Sequence, residues 1–568
     1  MRASVALPSS DAATTAVKLW AARLTEALER RRWWAVGFCI VAQWAFVAWE
    51  ALVRIPHNGW LYQNGDDGPW YWTTAWTLTS LHLPNAAVGL AWPYVLTPFA
   101  SIFGSNMADG LPAVIALNVL VLAPAAVIGM YLLGERIAGR LFGIWTAALW
   151  VLAPMITLGL YTPRTRPALV ATFFPTALGL NTLSDYPSMV CAIFGAYLLL
   201  RALDTNAWLD GAFCGLVLGF LVLLKPANGP LPLVGVIVLA VTFRFRALLA
   251  LFGAMVPAVL ALAIWKRTGV GSVPLLTADP HRTSGGEATT NSGPVAGAHR
   301  YLNIDWHHMS QNVHALGQVF WSVRLLEFLL LAGAVGLIVR SRAKGLLIIG
   351  WFAAFLLVKG GVSYAGVYDT SLFRFILPAW PAWVLIVAGT VFLWPSGPAR
   401  RAQQRESDKR EARSSHPPRR ELVVIASVIL ALGPLAVATA ASPIGAHTVA
   451  QMNYTGAPVA VVDFGLHARR IGPHVVQLTW RGVHSSRATG WYQVFKGPND
   501  GCVYLAAGAK DCLFRMPVNA ETRTTTFIDR QASGPVIVYR IGLAAGKRID
   551  PNTTSYLLVS KPTTLNAR

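Results

Sequence analysis

Eleven stretches of this chain are apolar over roughly the length needed to cross a lipid bilayer, and nothing else in the sequence limits the fold as tightly. They fall near 33–53, 111–133, 141–160, 187–203, 208–224, 230–243, 247–265, 325–339, 345–358, 376–394 and 421–441. A bilayer core is about 30 Å thick, so a helix needs about 20 apolar residues to cross it. Inside that core every backbone N–H and C=O must find its partner within the protein, and a helix does this within its own segment. Only 13% of the 568 residues are charged, well below the share of about 25% usual in soluble domains. The sequence predicts a polytopic α-helical membrane protein with about eleven transmembrane helices, seated in the plasma membrane.

The formal net charge is +21. In a soluble chain that balance suggests a nucleic-acid partner. Here most basic residues sit at the ends of apolar runs, so topology accounts for them and no nucleic-acid partner is expected. Cytoplasmic loops carry the excess of Lys and Arg. Arg30, Arg31 and Arg32 directly precede the first run, Trp33–Val53. That run is long enough to span and lacks the small-residue exit of a cleavable signal, so it reads as a signal anchor behind a cytoplasmic segment 1–32. Every second loop should then be basic. The predicted inner loops hold Glu135, Arg136 and Arg140; Arg201; Arg244 and Arg246; and Arg340, Arg342 and Lys344. The last contains 396–420, whose stretch from Arg400 to Arg420 has eight basic and three acidic residues. Its composition predicts a disordered linker facing anionic lipid. The alternation requires an odd number of spans. It places the last helix at 421–441 and 442–568 on the extracytoplasmic side.

Segments 54–110, 161–186 and 266–324 are then outer loops. The region 442–568 reads as a mainly-β domain, from strand-like runs such as "HVVQLTW", "GWYQVF", "CVYLAA" and "PVIVYRIGL" broken by Gly, Pro and Asn-Asp. It carries fourteen basic and six acidic residues, which favours an anionic acceptor or lipid headgroups. Trp480, Trp491 and Tyr492 could stack on sugar rings, although Trp in a β domain more often fills the core. Cys39, Cys191 and Cys214 lie in apolar runs, as small core residues do. Cys502 and Cys512 lie in the extracytoplasmic region, where a disulfide between them is the expected state.

Four groups of residues could carry chemistry. Asp66 and Asp67, in "YQNGDDGPWYWTTAW", form an acidic pair just outside the first run. One could act as a general base while the other orients it or holds a metal, and like charges this close can raise one pKa. A solvated Asp-Asp-Gly turn is the plainer alternative. Asp185, in "LNTLSDYPSM", is a second outer acid that could serve function or cap the helix that follows. Arg164, Arg166, Lys225, Lys359 and Arg374 are basic residues on the side where the charge rule disfavours them. A bound phosphate explains the set; snorkelling to headgroups explains any single member. Histidines cluster between 266 and 324, and "DWHHM" offers His307 and His308 which, with Asp67, could hold a divalent metal. Phosphate-cradling glycine motifs are absent from the sequence.

In this order, these features resemble the GT-C superfamily of membrane glycosyltransferases, which use sugars linked to polyprenyl phosphate. Asp66–Asp67 matches the acidic pair of the family's first outer loop, where many members have Asp-Glu. "SDYPSM" matches its second acid. "YLLLRAL…G…LGFLVLLKPANG" is similar to the family's "LYLLLRA…GLALGLALLTKPTG", and "LFRFILPAWPAW" is similar to "RYLLPALPAL". The likeness covers roughly 33–395 and leaves 442–568 without a counterpart. The resemblance implies an inverting transfer at the outer face. Asp66 deprotonates an acceptor hydroxyl, Asp67 or Asp185 assists or holds a metal, and Arg374, Lys225 and Arg164 or Arg166 stabilise the leaving phosphate. The implied partners are a polyprenyl-phosphate sugar donor, membrane lipids, and a glycan, lipid or protein acceptor of the cell envelope. A transporter or lipid flippase would instead place ionisable groups at mid-membrane. A non-catalytic assembly protein would have no need of the acids and Arg374.

Overall fold

A computed structural model describes residues 26–55, 68–83, 89–103, 107–270, 304–319, 323–362, 365–368, 370–394, 419–443, 460–483, 492–497, 502–504, 512–514, 517–530, 532, 536–544, 556–561 and 563–566. Eight of its helices are long and apolar enough to cross a membrane. In chain order, with the other helices that matter here, they are α1 (Arg32–Arg54), α2 (Gly68–Leu78), α3 (Ala91–Phe103), α4 (Gly110–Ala138), α5 (Arg140–Leu160), α6 (Asp185–Thr205), α7 (Trp208–Leu224), α8 (Pro226–Val241), α9 (Phe245–Arg267), α10 (Trp306–Val319), α11 (Val323–Arg340), α12 (Arg342–Gly360), α13 (Ser371–Leu393) and α14 (Arg420–Ala440). The eight are α1, α4, α5, α6, α9, α12, α13 and α14, while α7 and α8 are apolar but shorter. With α11, every one of the eleven apolar runs has become a helix.

The breaks between helices follow local rules. Gly139, at φ +88°, makes the turn from α4 to α5; a left-handed backbone there favours glycine. Asn206, at φ +50°, ends α6, and Asn is the commonest substitute for glycine in that role. Lys225 ends α7 in an extended conformation (φ −154°, ψ 113°) because Pro226 follows it. A residue before proline is pushed out of the helical region.

Helices in lipid gain no hydrophobic advantage by associating, so close packing of small residues holds them together. Gly211, Gly215 and Gly219 form one stripe on α7 at one-turn spacing. A Cβ on Gly211 would meet the Ala247 carbonyl oxygen of α9 at 2.2 Å, and one on Gly215 would meet that of Leu251 at 2.3 Å. Gly333 and Gly336 bring α11 equally close to Ile386 and Gly389 of α13. Gly211→Leu is therefore expected to lower the melting temperature of the detergent-purified protein, by an amount corresponding to about 1–3 kcal/mol of overpacking. Gly253→Leu is the control, because a Cβ there meets nothing within 4 Å. Equal melting of both variants would refute the packing account.

Among these eight, α6 is the most buried, and it fixes two ends of the bundle. Its C-terminal end joins a network of charges. Arg136 pairs with Asp204 at 2.7 Å, Lys344 with Asp204 at 3.3 Å, Arg201 with Asp210 at 2.9 Å, and Arg32 and Arg140 with Glu135 at 3.4 and 3.7 Å. These residues come from the loops predicted to share the cytoplasmic side, and they do share one end. The N-terminus of α6, with Asp185, lies at the opposite end, about 30 Å away along a helix of this length. Near that end a short parallel pairing joins β1 (His82–Leu83) to β2 (Ser442–Pro443), tying the segment before α3 to the exit of α14.

Beyond α14 the described residues are strands: β3 (Ala460–Val462), β4 (His467–Gly472), β5 (Val475–Thr479), β6 (Tyr492–Gly497), β7 (Cys502–Tyr504), β8 (Cys512–Phe514), β9 (Pro517–Thr522), β10 (Thr526–Asp529), β11 (Val536–Ala544), β12 (Tyr556–Ser560) and β13 (Thr563–Asn566). A six-stranded sheet orders them β3-β12-β11-β6-β9, with β13 also on β11, and a three-stranded sheet orders β10-β5-β4. Phe464, Val476, Leu478, Trp480, Tyr492, Val494 and Tyr539 fill the core between them. Trp480 and Tyr492 are thus buried in edge-to-face contact, centroids 5.6 Å apart. They are core residues rather than a sugar-stacking surface, and Trp491 lies outside the described residues. Burial, reinforced by a hydrogen bond to Asp529, pushes the Tyr539 hydroxyl above its ordinary range.

Candidate active site

Asp185 is the first residue of α6 and is 1% exposed. It does not cap the helix; Ser184 holds that position and makes no capping bond. Its carboxylate turns instead to two cations. Lys225 Nζ donates to Oδ1 at 2.5 Å, and Arg374 Nε donates to Oδ2 at 3.0 Å. Each partner is placed by a break in a helix. Lys225 stands where Pro226 stops α7. Arg374 lies in the first turns of α13, after Thr370 has reversed the chain at φ +64° and the Ser371 hydroxyl has taken the Gly366 amide at 2.8 Å.

Lys359, 7% exposed at the end of α12, lies within electrostatic reach of both Lys225 and Asp185. Three cations thus converge on one carboxylate among the described residues. Phe375 walls them, its ring centroid 5.3 Å from Lys225 Nζ and 6.0 Å from the Arg374 guanidinium carbon. A buried charge is costly unless it is paired and hydrogen-bonded, and here each oxygen of Asp185 has its cation. The helix N-terminus adds a favourable field for negative charge.

The segment entering α6 is buried from Leu178 to Val190. Asn118 donates to the Gly179 and Asn181 carbonyls at 2.9 and 3.2 Å, Asn181 donates to Thr176, and Trp92 donates to the Thr182 carbonyl at 2.6 Å. Tyr71 of α2 shares a 2.6 Å hydrogen bond with Ser184, the residue before Asp185. That bond ties the helix that follows the acidic pair directly to the ion-pair cluster.

Of the predicted residues, Asp185, Lys225 and Arg374 meet in one cluster. Asp66 and Asp67 lie outside the described residues. Arg164 is exposed, and an Arg166 guanidinium nitrogen donates to the Tyr161 carbonyl at 3.1 Å. Among the described residues neither pairs with Asp185. Burial pushes the Tyr161 hydroxyl above its ordinary range, so it stays protonated. Asp305 precedes α10 and accepts the His308 amide at 3.0 Å, which holds its exposed carboxyl below the usual range. The His308 ring Nε2 lies 2.8 Å from the Ala365 carbonyl, to which it donates, and His307 pairs with Gln311 at 3.0 Å. Among the described residues no three metal-ligating side chains cluster, and both oxygens of Asp185 are held by cations. Asp67, which the sequence grouped with His307 and His308 as metal ligands, lies outside the described residues. Cys39, Cys191 and Cys214 are free thiols. In the ladder of β7 and β8, Cys502 stands opposite Phe514 and Cys512 opposite Tyr504.

Three buried groups were not found from the sequence. Ser184 carries no signal beyond its place before Asp185. Lys266, 7% exposed at the end of α9, was hidden by Arg267 beside it. Glu50, 1% exposed in α1, pairs with Arg54 at 3.6 Å, and only its position inside an apolar run could have marked it.

No protein-family model matches the chain, and no curated protein matches its sequence. Among solved structures it is similar to the oligosaccharyltransferase of Archaeoglobus fulgidus in the apo form, with 13% identity, a TM-score of 0.37, and coverage of 74% of this chain and 57% of that one. The archaeal oligosaccharyltransferase AglB from Archaeoglobus fulgidus, in complex with an inhibitory peptide and a dolichol-phosphate, is similar at 14% identity and TM-score 0.37, covering 72% and 56%. A complex of the Archaeoglobus fulgidus enzyme with Zn and sulfate is similar at 14% identity and TM-score 0.35, covering 71% and 53%. The chain spans just over half the length of these structures.

Proposed function

We propose that this protein is a membrane glycosyltransferase that moves a sugar from a polyprenyl-phosphate donor to an acceptor of the cell envelope, on the extracytoplasmic face and with inversion. One observation carries the reading. Lys225, Lys359 and Arg374 converge on the buried Asp185 at the end of the bundle opposite the Arg32–Glu135 and Arg136–Asp204 network. An arginine and lysines in a partly dry site suit a phosphate group.

The chemistry follows from those roles. An acceptor hydroxyl gives its proton to Asp66 and attacks the anomeric carbon. The bond from that carbon to the phosphate oxygen breaks, and the polyprenyl phosphate leaves with the electron pair. Lys225 and Arg374 stabilise its charge, as preorganised donors do best where water is scarce. One base suffices, because the donor is already activated. Asp185, with both oxygens committed, acts as the counter-ion that positions the two cations. Asp66 precedes the first residue of α2 by two positions in the sequence. The bond from Tyr71 to Ser184 holds that helix against the cluster.

The test is a screen of the purified protein against polyprenyl-phosphate sugars. Transfer or hydrolysis of at least one donor is expected, with Lys225→Met raising the donor KM tenfold or more. No turnover of any donor, together with substrate flux across proteoliposomes, would replace this reading with a transporter.

A further inference from the structure

The helix α10 carries a face that the proposed chemistry does not use. Between Trp306 and Val319 it has no Asp, Glu, Lys or Arg. Asn312, Ala315 and Val319 are its buried side. His307, Ser310, Gln311, His314 and Gln318 are exposed on the other. These side chains are already aligned with one another. The Gln311 amide nitrogen donates to His307 Nε2 at 3.0 Å, and that of Gln318 to His314 Nε2 at 3.1 Å. The Tyr368 hydroxyl donates to Gln318 Oε1. From Gln311 to Gln318 the helix rises about 10 Å, so the amides and imidazoles form a ladder along it. Trp306, 66% exposed, stands at one end of the helix, and Tyr368, 60% exposed, at the other.

The opposite, buried side of α10 packs on the segment that follows Lys359. Asn312 donates to the Gly360 and Ala365 carbonyls, both at 2.8 Å, and His308 bonds the same Ala365 carbonyl. Gly360 directly follows Lys359, and the chain from Ala365 runs to Arg374 within nine residues. At its far end α10 accepts the Thr162 amide on the Val319 carbonyl at 2.8 Å.

Resting on the glycosyltransferase reading, we infer that the exposed face of α10 is the acceptor platform, and that the acceptor it takes is an uncharged glycan. Amides and imidazoles both donate and accept hydrogen bonds, as sugar hydroxyls do. The helix itself has no Lys, Arg, Asp or Glu with which a charged acceptor could pair after losing its hydration on this face. Trp306 and Tyr368 offer flat apolar faces to the C–H sides of sugar rings, and each keeps a polar handle. The helix that carries the platform is anchored by Asn312 to the Gly360 carbonyl, next to Lys359 of the cation cluster.

The test uses the full chain in nanodiscs of zwitterionic lipid. The probes are mannotriose and arabinotriose, with a trisaccharide bearing a uronic acid as the charged control, and binding is read by saturation-transfer NMR. Neutral probes are expected to bind and to quench Trp306, while the double variant Q311A/Q318A weakens binding at least tenfold. With an active donor, the same variant raises the acceptor KM and leaves the donor KM and donor hydrolysis unchanged. Neutral binding that is lost in the variant, in a protein that turns over no donor, would keep the sugar-binding face and remove the glycosyltransferase reading. Unchanged binding in the variant would overturn the inference. So would preference for the acidic trisaccharide, or quenching of Trp306 by brominated lipid with no response to sugar.

Discussion

On the proposed mechanism Asp66→Asn is expected to lower sugar transfer by the purified protein by about 100- to 10,000-fold, the range a general base contributes, while yield and melting temperature stay at the level of the parent. Asparagine matches aspartate in size and keeps a hydrogen-bonding carbonyl, but it cannot take up the proton of an acceptor hydroxyl. Asp67→Asn is expected to cost less, because its carboxylate orients or tunes the base. The measurement is transfer from a radiolabelled polyprenyl-phosphate sugar at saturating donor. Retention of more than a tenth of the parent rate by Asp66→Asn would move the base elsewhere in the chain. An equal loss in both variants would mean that the two carboxylates act as one unit.

Asp185→Leu is expected to destabilise the folded protein by about 3–5 kcal/mol, the usual result of removing one partner from a buried ion pair. Lys225 Nζ and Arg374 Nε sit 2.5 and 3.0 Å from its oxygens, and Lys359 lies nearby. Without the carboxylate, like charges face one another across a site that is nearly dry. Thermal unfolding in detergent, followed by tryptophan fluorescence, reads the loss. The double variant Asp185→Leu/Lys225→Met is expected to recover part of it, since one of the facing cations is then gone. A double-mutant cycle isolates that coupling. An unchanged melting temperature in Asp185→Leu would show that the cations find their counter-charge elsewhere, and Asp185 would lose its positioning role.

The spans were legible because the demand that makes them is local. A run such as Leu111–Leu133 must be helical wherever it sits in the bundle, since lipid satisfies no backbone hydrogen bond. Val323–Arg340 was equally legible, although it carries Arg324 and Glu327 near its start. Which loops share an end was legible for a related reason. Glu135, Arg136, Arg140, Arg201 and Lys344 were assigned to one side by the charge rule, and the structure pairs them with Arg32, Asp204 and Asp210 at one end. The site was legible only in its membership. Asp185, Lys225 and Arg374 stood out as charges where charges are disfavoured. Arg166 stood out by the same test, and it instead bonds the Tyr161 carbonyl next to its own turn. A charge on the unexpected side is a residue without an explanation; which partner supplies that explanation depends on the packing.

From the sequence alone came the class of the molecule, the position of each helix, the β character of the C-terminal region and the residues worth watching. Each of these rests on interactions within a few residues, or on composition averaged over a segment. Only the tertiary structure decided that Asp185 faces Lys225, 40 residues away, and Arg374, 189 residues away. It alone placed α10 beside Lys359 and buried Trp480 and Tyr492 in a core. The meeting at Asp185 depends on how α6, α7 and α13 pack, and the burial of Trp480 and Tyr492 on how the strands of the C-terminal region pack. Close contact at glycines, such as Gly195 of α6 against Leu218 of α7 and Gly333 of α11 against Ile386 of α13, determines which helices can meet.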